Sequence, residues 1–126
     1  SGKYDFWAPP GGGVEDNEEL AEAAKRETFE ETGIVIEVKT LAYIDELIDE
    51  SGRMVKFWFL AEYVSGEIDT SANPATNEKT VDAGWFSQGD LPGGHVFPEV
   101  LRHRFWRERK EEFPVPIKLP LQHSIF

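Results

Sequence analysis

GGVEDNEELAEAAKRETFEETGI, Gly12 to Ile34, begins as a glycine loop and continues as a helix whose apolar face turns acidic. Asp16, with Glu19 three residues on, has the spacing of a capping box, so the helix is expected to start at Asp16 or Asn17. Its body, EELAEAAKRETFEE, is made of strong helix formers, and Gly33 stands where a left-handed C-terminal cap belongs. At about 100° per residue, Leu20, Ala23, Ala24, Glu27, Glu30 and Glu31 share one side. Phe29 lies away from that side, so the helix is expected to be covered on both.

Glu30 and Glu31 both flank Glu27, because residues three and four apart are neighbours on a helix. Such carboxylates repel one another, and they sit at the helix end where the macrodipole disfavours negative charge. A glutamate-rich helix end is more often a solvated face than a site. If a cation neutralises it, oxygen-only donors suit Mg²⁺ or Mn²⁺, since no Cys or His lies on this face. Gly11, Gly12 and Gly13 add backbone that a ligand can approach closely. The loop lacks the Lys-Ser/Thr ending of a P-loop and does not match the dinucleotide fingerprint.

Outside this stretch, IVIEV and TLAYIDELID read as two strands, ESGR as a turn, and MVKFWFLAEYV as a long strand ended by Ser65-Gly66. VDAGWF reads as a short strand between loops. A second helix is expected from Pro98 through EVLRHRFWRERKEEF, with Val100, Leu101 and Phe105 toward the core. Pro114, Pro116 and Pro120 keep the tail extended, and its apolar residues call for packing on this domain or a second subunit. The pattern is mixed α/β, with helices on the faces of a mixed sheet.

With 126 residues, 40% hydrophobic and 29% charged, the chain reads as one globular domain over residues 1–126. No apolar run approaches a membrane span. A formal net charge of −11 argues against loose binding to nucleic-acid duplexes or membrane surfaces. The absence of cysteine excludes disulfides and fits a reducing cytoplasm.

Gly12, Glu18 and RETFEETGI (Arg26 to Ile34) fall on every fixed position of the pattern GX5EX7REUXEEXGU. The stretch therefore resembles the Nudix box, with Thr28 a soft choice for its first apolar position. WAPPGG before it and AGWFSQGDLP (Ala83 to Pro92) after it also resemble the family. The resemblance implies an α/β/α sandwich and a Mg²⁺- or Mn²⁺-dependent hydrolase of a nucleoside diphosphate linked to another group. It implies Glu27, Glu30 and Glu31 as metal ligands, with the carbonyl of Gly11 or Gly12 as a backbone ligand. Arg26 would fix a glutamate by a charge-assisted hydrogen bond and stand close to the substrate with Gly12 and Trp7, while Glu18 and Gly33 would serve the box's architecture.

Glu27 and Glu78 are the alternatives for the general base, with Asp82 third. Tyr4, Phe6, Trp7 and Trp58 are candidates to stack on a base or to pack in the core. His95, His103 and His123 show no ligand spacing, and RHRFWRERK (Arg102 to Lys110) is a basic patch with an internal Arg104–Glu108 pair. SGKYDFW supplies at most the end of one strand, so the expectation is a sheet with its N-terminal strand missing, truncated or contributed by a swapped homodimer. The function implied is hydrolysis of a small nucleotide substrate. The alternative is a catalytically silent, nucleotide-binding regulatory domain.

Overall fold

The computed structural model describes residues 8–11, 13–15, 17–69, 84–93 and 96–123. Helix α1 spans Leu20–Thr32, later than the expected start at Asp16 or Asn17. Asn17 has φ 66°, a left-handed conformation that a right-handed helix cannot pass through. Glu15 and Glu18 close a turn instead: the Glu18 N–H donates to the Glu15 carbonyl at 3.1 Å, and the Glu15 N–H to Glu18 Oε1 at 3.0 Å. The capping box falls further on, where Glu19 is the N-cap and its N–H donates to Glu22 Oε1 at 3.1 Å.

Gly33 ends the helix as expected, with φ 77° and its N–H donating to the Phe29 carbonyl at 2.8 Å. Only one face of α1 is buried. Ala23 and Thr28 are enclosed, whereas Phe29 is 55% exposed and Leu20 40%, so the expected two-sided burial does not occur. Thr28 tolerates burial because its hydroxyl donates to the Ala24 carbonyl at 2.7 Å.

Strand β1 (Val35–Asp49) is continuous where two strands were expected. The polar Lys39-Thr40 does not end it, because the register shifts at Val38/Leu41 and Leu41/Tyr43 absorb the break as bulges. A two-residue turn leads into β2 (Gly52–Ser65), which pairs antiparallel with β1. Asp49 shapes that turn, its Oδ1 accepting from the Ser51 N–H at 2.8 Å and the Gly52 N–H at 3.2 Å. Past β2, a Cβ on Gly66 (φ 100°) would lie 2.4 Å from the Gly33 carbonyl oxygen, so the end of α1 and the exit of β2 meet backbone to backbone. The Asp69 N–H donates to the Thr32 carbonyl at 2.7 Å across this junction.

The single helix expected from Pro98 is broken into a 3₁₀ turn at Glu99–Arg102, helix α2 at Arg104–Glu108 and a second 3₁₀ turn at Arg109–Glu111. A straight helix would hold Val100 and Phe113 about 20 Å apart along its axis. Both belong to one buried cluster with Ala42, Tyr43 and Leu119, so the segment must bend back on itself. Tyr43 is its hinge: its ring meets Phe113 edge-on at 5.1 Å, and its hydroxyl donates to Glu108, which Arg104 grips through Nε at 3.0 Å and Nη2 at 2.7 Å. Phe105 packs against the cluster and Leu101 is half-buried.

The proline-rich tail adds β3 (Ile117–Lys118) and β4 (Gln122–His123), both parallel to β1. The sheet is therefore mixed, in the order β2-β1-β3, with β4 also on β1. Leu119 is 1% exposed, so the tail packs on its own domain. The expected strand at VDAGWF is not seen at Gly84–Phe86, which lies in no strand; residues 81–83 are outside the described residues. No helix among the described residues is long and apolar enough to cross a membrane.

Candidate functional site

Arg26 organises the box. Its guanidinium carries five N–H donors in a planar fork, and it makes five hydrogen bonds within the protein. Nε donates to Glu18 Oε2 at 2.8 Å, while Nη2 donates to Glu18 Oε1 at 3.0 Å and to the Gly13 carbonyl at 2.9 Å. Nη1 donates to Glu27 Oε1 at 2.8 Å and Glu30 Oε1 at 3.1 Å, and lies 3.4 Å from Glu15. The fork on Glu18 ties the loop before α1 to the middle of the helix, which explains why the chain turns at Glu15–Glu18 rather than entering the helix directly.

The electrostatics follow from these contacts. The Arg26 guanidinium, helped by the Glu15 N–H, holds the Glu18 carboxyl below the usual glutamate range. Glu18 in turn, then Glu27 and Glu15, raise the already high pKa of Arg26, so this residue is a permanent cation. With its donors fully engaged, it has none left for a ligand in this conformation. Sequence reasoning foresaw one glutamate fixed by Arg26. It did not foresee the parts of Glu15 and the Gly13 carbonyl, whose spacing to Arg26 is only meaningful once the loop is folded back.

Glu27, Glu30 and Glu31 lie along one side of α1, half-buried. Among the described residues no three acidic or histidine side chains converge as a ready-made metal cage. Arg26 draws Oε1 of Glu27 and of Glu30 toward itself, whereas Glu31 Oε2 accepts the Gly11 N–H at 3.2 Å. The Gly11 bond lashes the glycine loop to the last turn of the helix. The donor set suits a hard divalent cation, because Arg26 takes only one oxygen of Glu27 and one of Glu30 and all the acceptors are oxygen. Trp7, Gly12, Glu78 and Asp82, also expected at or near the site, lie outside the described residues, as do Tyr4, Phe6 and His95.

Trp58 packs half-buried against the core, with its indole N–H toward Asp45 Oδ2 at 3.4 Å. Trp85 is 67% exposed and meets Tyr63 edge-on at 5.9 Å. The two rings line an open cavity of about 500 Å³ with Gly66, Glu67 and Ile68, beside the junction at the end of α1.

A NUDIX domain model matches residues 1–109. The chain belongs to the Nudix hydrolase family. It is 34% identical over 121 residues to the 8-oxo-dGDP phosphatase NUDT18 of Danio rerio, covering 93% of this chain and 36% of that protein. Over 96 residues it is 38% identical to the NAD-capped RNA hydrolase NudC of Chromobacterium violaceum, covering 76% of this chain and 33% of that one. The Nudix chain thus spans about a third of the length of these curated relatives. A Nudix hydrolase from Nitrosomonas europaea shares its fold, with a TM-score of 0.60 at 19% identity over 90% of this chain and 60% of that one. The expected α/β fold with a mixed sheet is the one the structure has.

Proposed function

We propose that this chain is a divalent-metal-dependent pyrophosphohydrolase acting on a nucleoside diphosphate linked to another moiety. The observation that carries the reading is the oxygen-only face of α1, where Glu27 and Glu30 each give Arg26 one oxygen and keep the other. Glu27, Glu30 and Glu31, with the carbonyl of Gly11, would hold Mg²⁺ or Mn²⁺. Bound there, the ion supplies water activation and charge neutralisation on the phosphates.

The chain's own residues do the rest. Arg26 fixes the carboxylates in register with the loop, and the Gly11 N–H orients Glu31. Glu27 is the described candidate to accept the proton of the attacking water, and Glu78 is its alternative. The Tyr63–Trp85 pair offers an apolar aromatic surface to a nucleotide ring at the end of α1. The names of the relatives point to 8-oxo-dGDP, NAD-capped RNA and ADP-ribose as the first substrates to try, and dinucleoside polyphosphates and nucleotide sugars complete the panel.

The test is turnover of that panel with Mg²⁺ and with Mn²⁺, in the wild type and in Glu31→Gln. The expected result is metal-dependent release of a nucleoside monophosphate or phosphate, with kcat lowered at least about a thousandfold in the variant and its melting temperature little changed. Near-wild-type turnover by Glu31→Gln would refute the ligand assignment. Tight binding of a nucleotide with no turnover of any panel member would favour a regulatory domain.

A further inference from the structure

The C-terminal segment carries a second charged feature that the box chemistry does not use. Its charges are sorted. Arg104 and Glu108 pair with each other and with the Tyr43 hydroxyl, and so are consumed by the core. Arg107, Arg109 and Lys110 instead line a cavity of about 660 Å³ around Trp106, and among the described residues none of the three forms an ion pair. Arg107 lies within Coulombic range of Glu108 but is not hydrogen-bonded to it. Glu112 is the one carboxylate among the described lining residues, set against three cations.

In a chain with 24 acidic and 13 basic residues, clustering three unpaired cations on one cavity runs against the average composition. Like charges so placed repel, and an anion relieves the repulsion. The cavity is also partly preorganised. The Trp106 indole N–H donates to the Leu101 carbonyl at 2.6 Å, which fixes the ring, and the Arg109 guanidinium lies over that ring at 5.6 Å. Arg109 stays exposed, but its contact with the ring restrains it in part before a ligand arrives.

We propose that this cavity, bounded by α2 and the 3₁₀ turn after it, binds a multiply charged phosphate anion independently of the Nudix box. Arg107, Arg109 and Lys110 supply the charge, and Gln88 and His103 add polar groups to its lining. Phosphates of this class arise as inorganic polyphosphate or as the phosphate chain of a nucleotide. The site needs no metal, because it carries its own cations, and this distinguishes it from the box.

The experiment is calorimetric titration of the full chain with inorganic tripolyphosphate, and separately with ADP, in EDTA and at low salt. The expected result is saturable binding in both the wild type and Glu31→Gln. Binding should fall at least about tenfold in Arg107→Gln/Arg109→Gln/Lys110→Gln and weaken steeply with added salt. Equal affinity for the two ligands assigns the site to phosphate alone, and tighter binding of ADP assigns it to a nucleotide. Loss of binding in Glu31→Gln, unchanged binding in the triple variant, or no saturation in the wild type would overturn the proposal. Should the triple variant fail to fold, NMR on the wild type decides: the Trp106 indole N–H resonance must shift on adding tripolyphosphate, and an unmoved resonance overturns the site.

Discussion

Replacing Arg26 by Lys keeps the positive charge and removes the fork, which separates two roles that deletion would confound. The guanidinium makes five hydrogen bonds, two of them to the paired oxygens of Glu18. An ammonium has three donors, so at least two bonds are lost, and the fork geometry on Glu18 cannot be reproduced. At about 1 kcal/mol net for each bond, the value of an ordinary hydrogen bond and below that for fully charged partners because the side chain has some solvent access, the loss is about 2 kcal/mol. For a chain of 126 residues, roughly 4 °C of melting temperature accompanies each kcal/mol, so Tm should fall by about 8 °C. Freeing Glu27 and Glu30 from a common anchor should also lower metal affinity or turnover by about 10- to 100-fold, as loss of a ligand-orienting partner generally does. The assays are a thermal melt in EDTA, followed by turnover of the best substrate across a Mg²⁺ series. If the Arg26→Lys variant melts and turns over like the wild type, a point charge suffices at this position and the hub argument is wrong.

Leu119→Ala should destabilise the chain by about 3 kcal/mol, since a fully enclosed leucine is truncated beside Tyr43; a urea midpoint close to the wild type's would show that the tail does not pack there. Gly66→Ala should lower Tm by several degrees or prevent folding, because the new Cβ meets the Gly33 carbonyl oxygen at 2.4 Å in a positive-φ backbone; an unshifted melt would contradict the close junction. Acid should also destabilise. Arg104, with the Tyr43 hydroxyl, depresses the Glu108 carboxyl, and Arg26 depresses Glu18. A depressed folded-state pKa contributes stability above the unfolded value of about 4.3 and loses it as pH falls below that. Melts between about pH 6 and pH 3 should therefore show Tm dropping below about pH 4, and Tyr43→Phe should make the drop shallower.

The sequence was most informative where chemistry and backbone propensity agree. The helix formers, Gly33 and the long strand ended by Ser65-Gly66 are all local signals, and each produced the element it announced. It was least informative where tertiary contacts override local preference. Asn tolerates the left-handed region better than most residues, but that Asn17 adopts it here shows only once Glu18 is seen held by Arg26, eight residues away. RHRFWRERKEEF has a helical pattern throughout, yet the shared core of Val100, Phe105 and Phe113 breaks it at His103, where φ is −144° and ψ −86°. Lys39-Thr40 looked like a strand end because a bulge, which preserves pairing across a polar break, leaves no distinct mark in one sequence. At the box, residue types and spacing showed which carboxylates share a face, but not which of their oxygens are already engaged.

Those engaged oxygens give the box its character. Five carboxylates, Glu15, Glu18, Glu27, Glu30 and Glu31, gather around one guanidinium and the loop N–H groups. Arg26 settles the geometry of Glu15, Glu18, Glu27 and Glu30 without settling their charge, since one cation cannot balance four anions. The remaining negative charge lies on oxygens that a hard cation prefers and that an anionic substrate would avoid. On the proposed function, a divalent cation held by Glu27, Glu30 and Glu31 would let a phosphate approach this face and would supply charge neutralisation for both its recognition and its activation. The pocket around Trp106 solves the opposite problem, presenting fixed cations to an anion with no ion needed between them. An acidic protein that handles phosphates by both routes should therefore show two binding events that respond differently to EDTA. The metal-requiring event depends on Glu31, and the metal-free event on Arg107, Arg109 and Lys110.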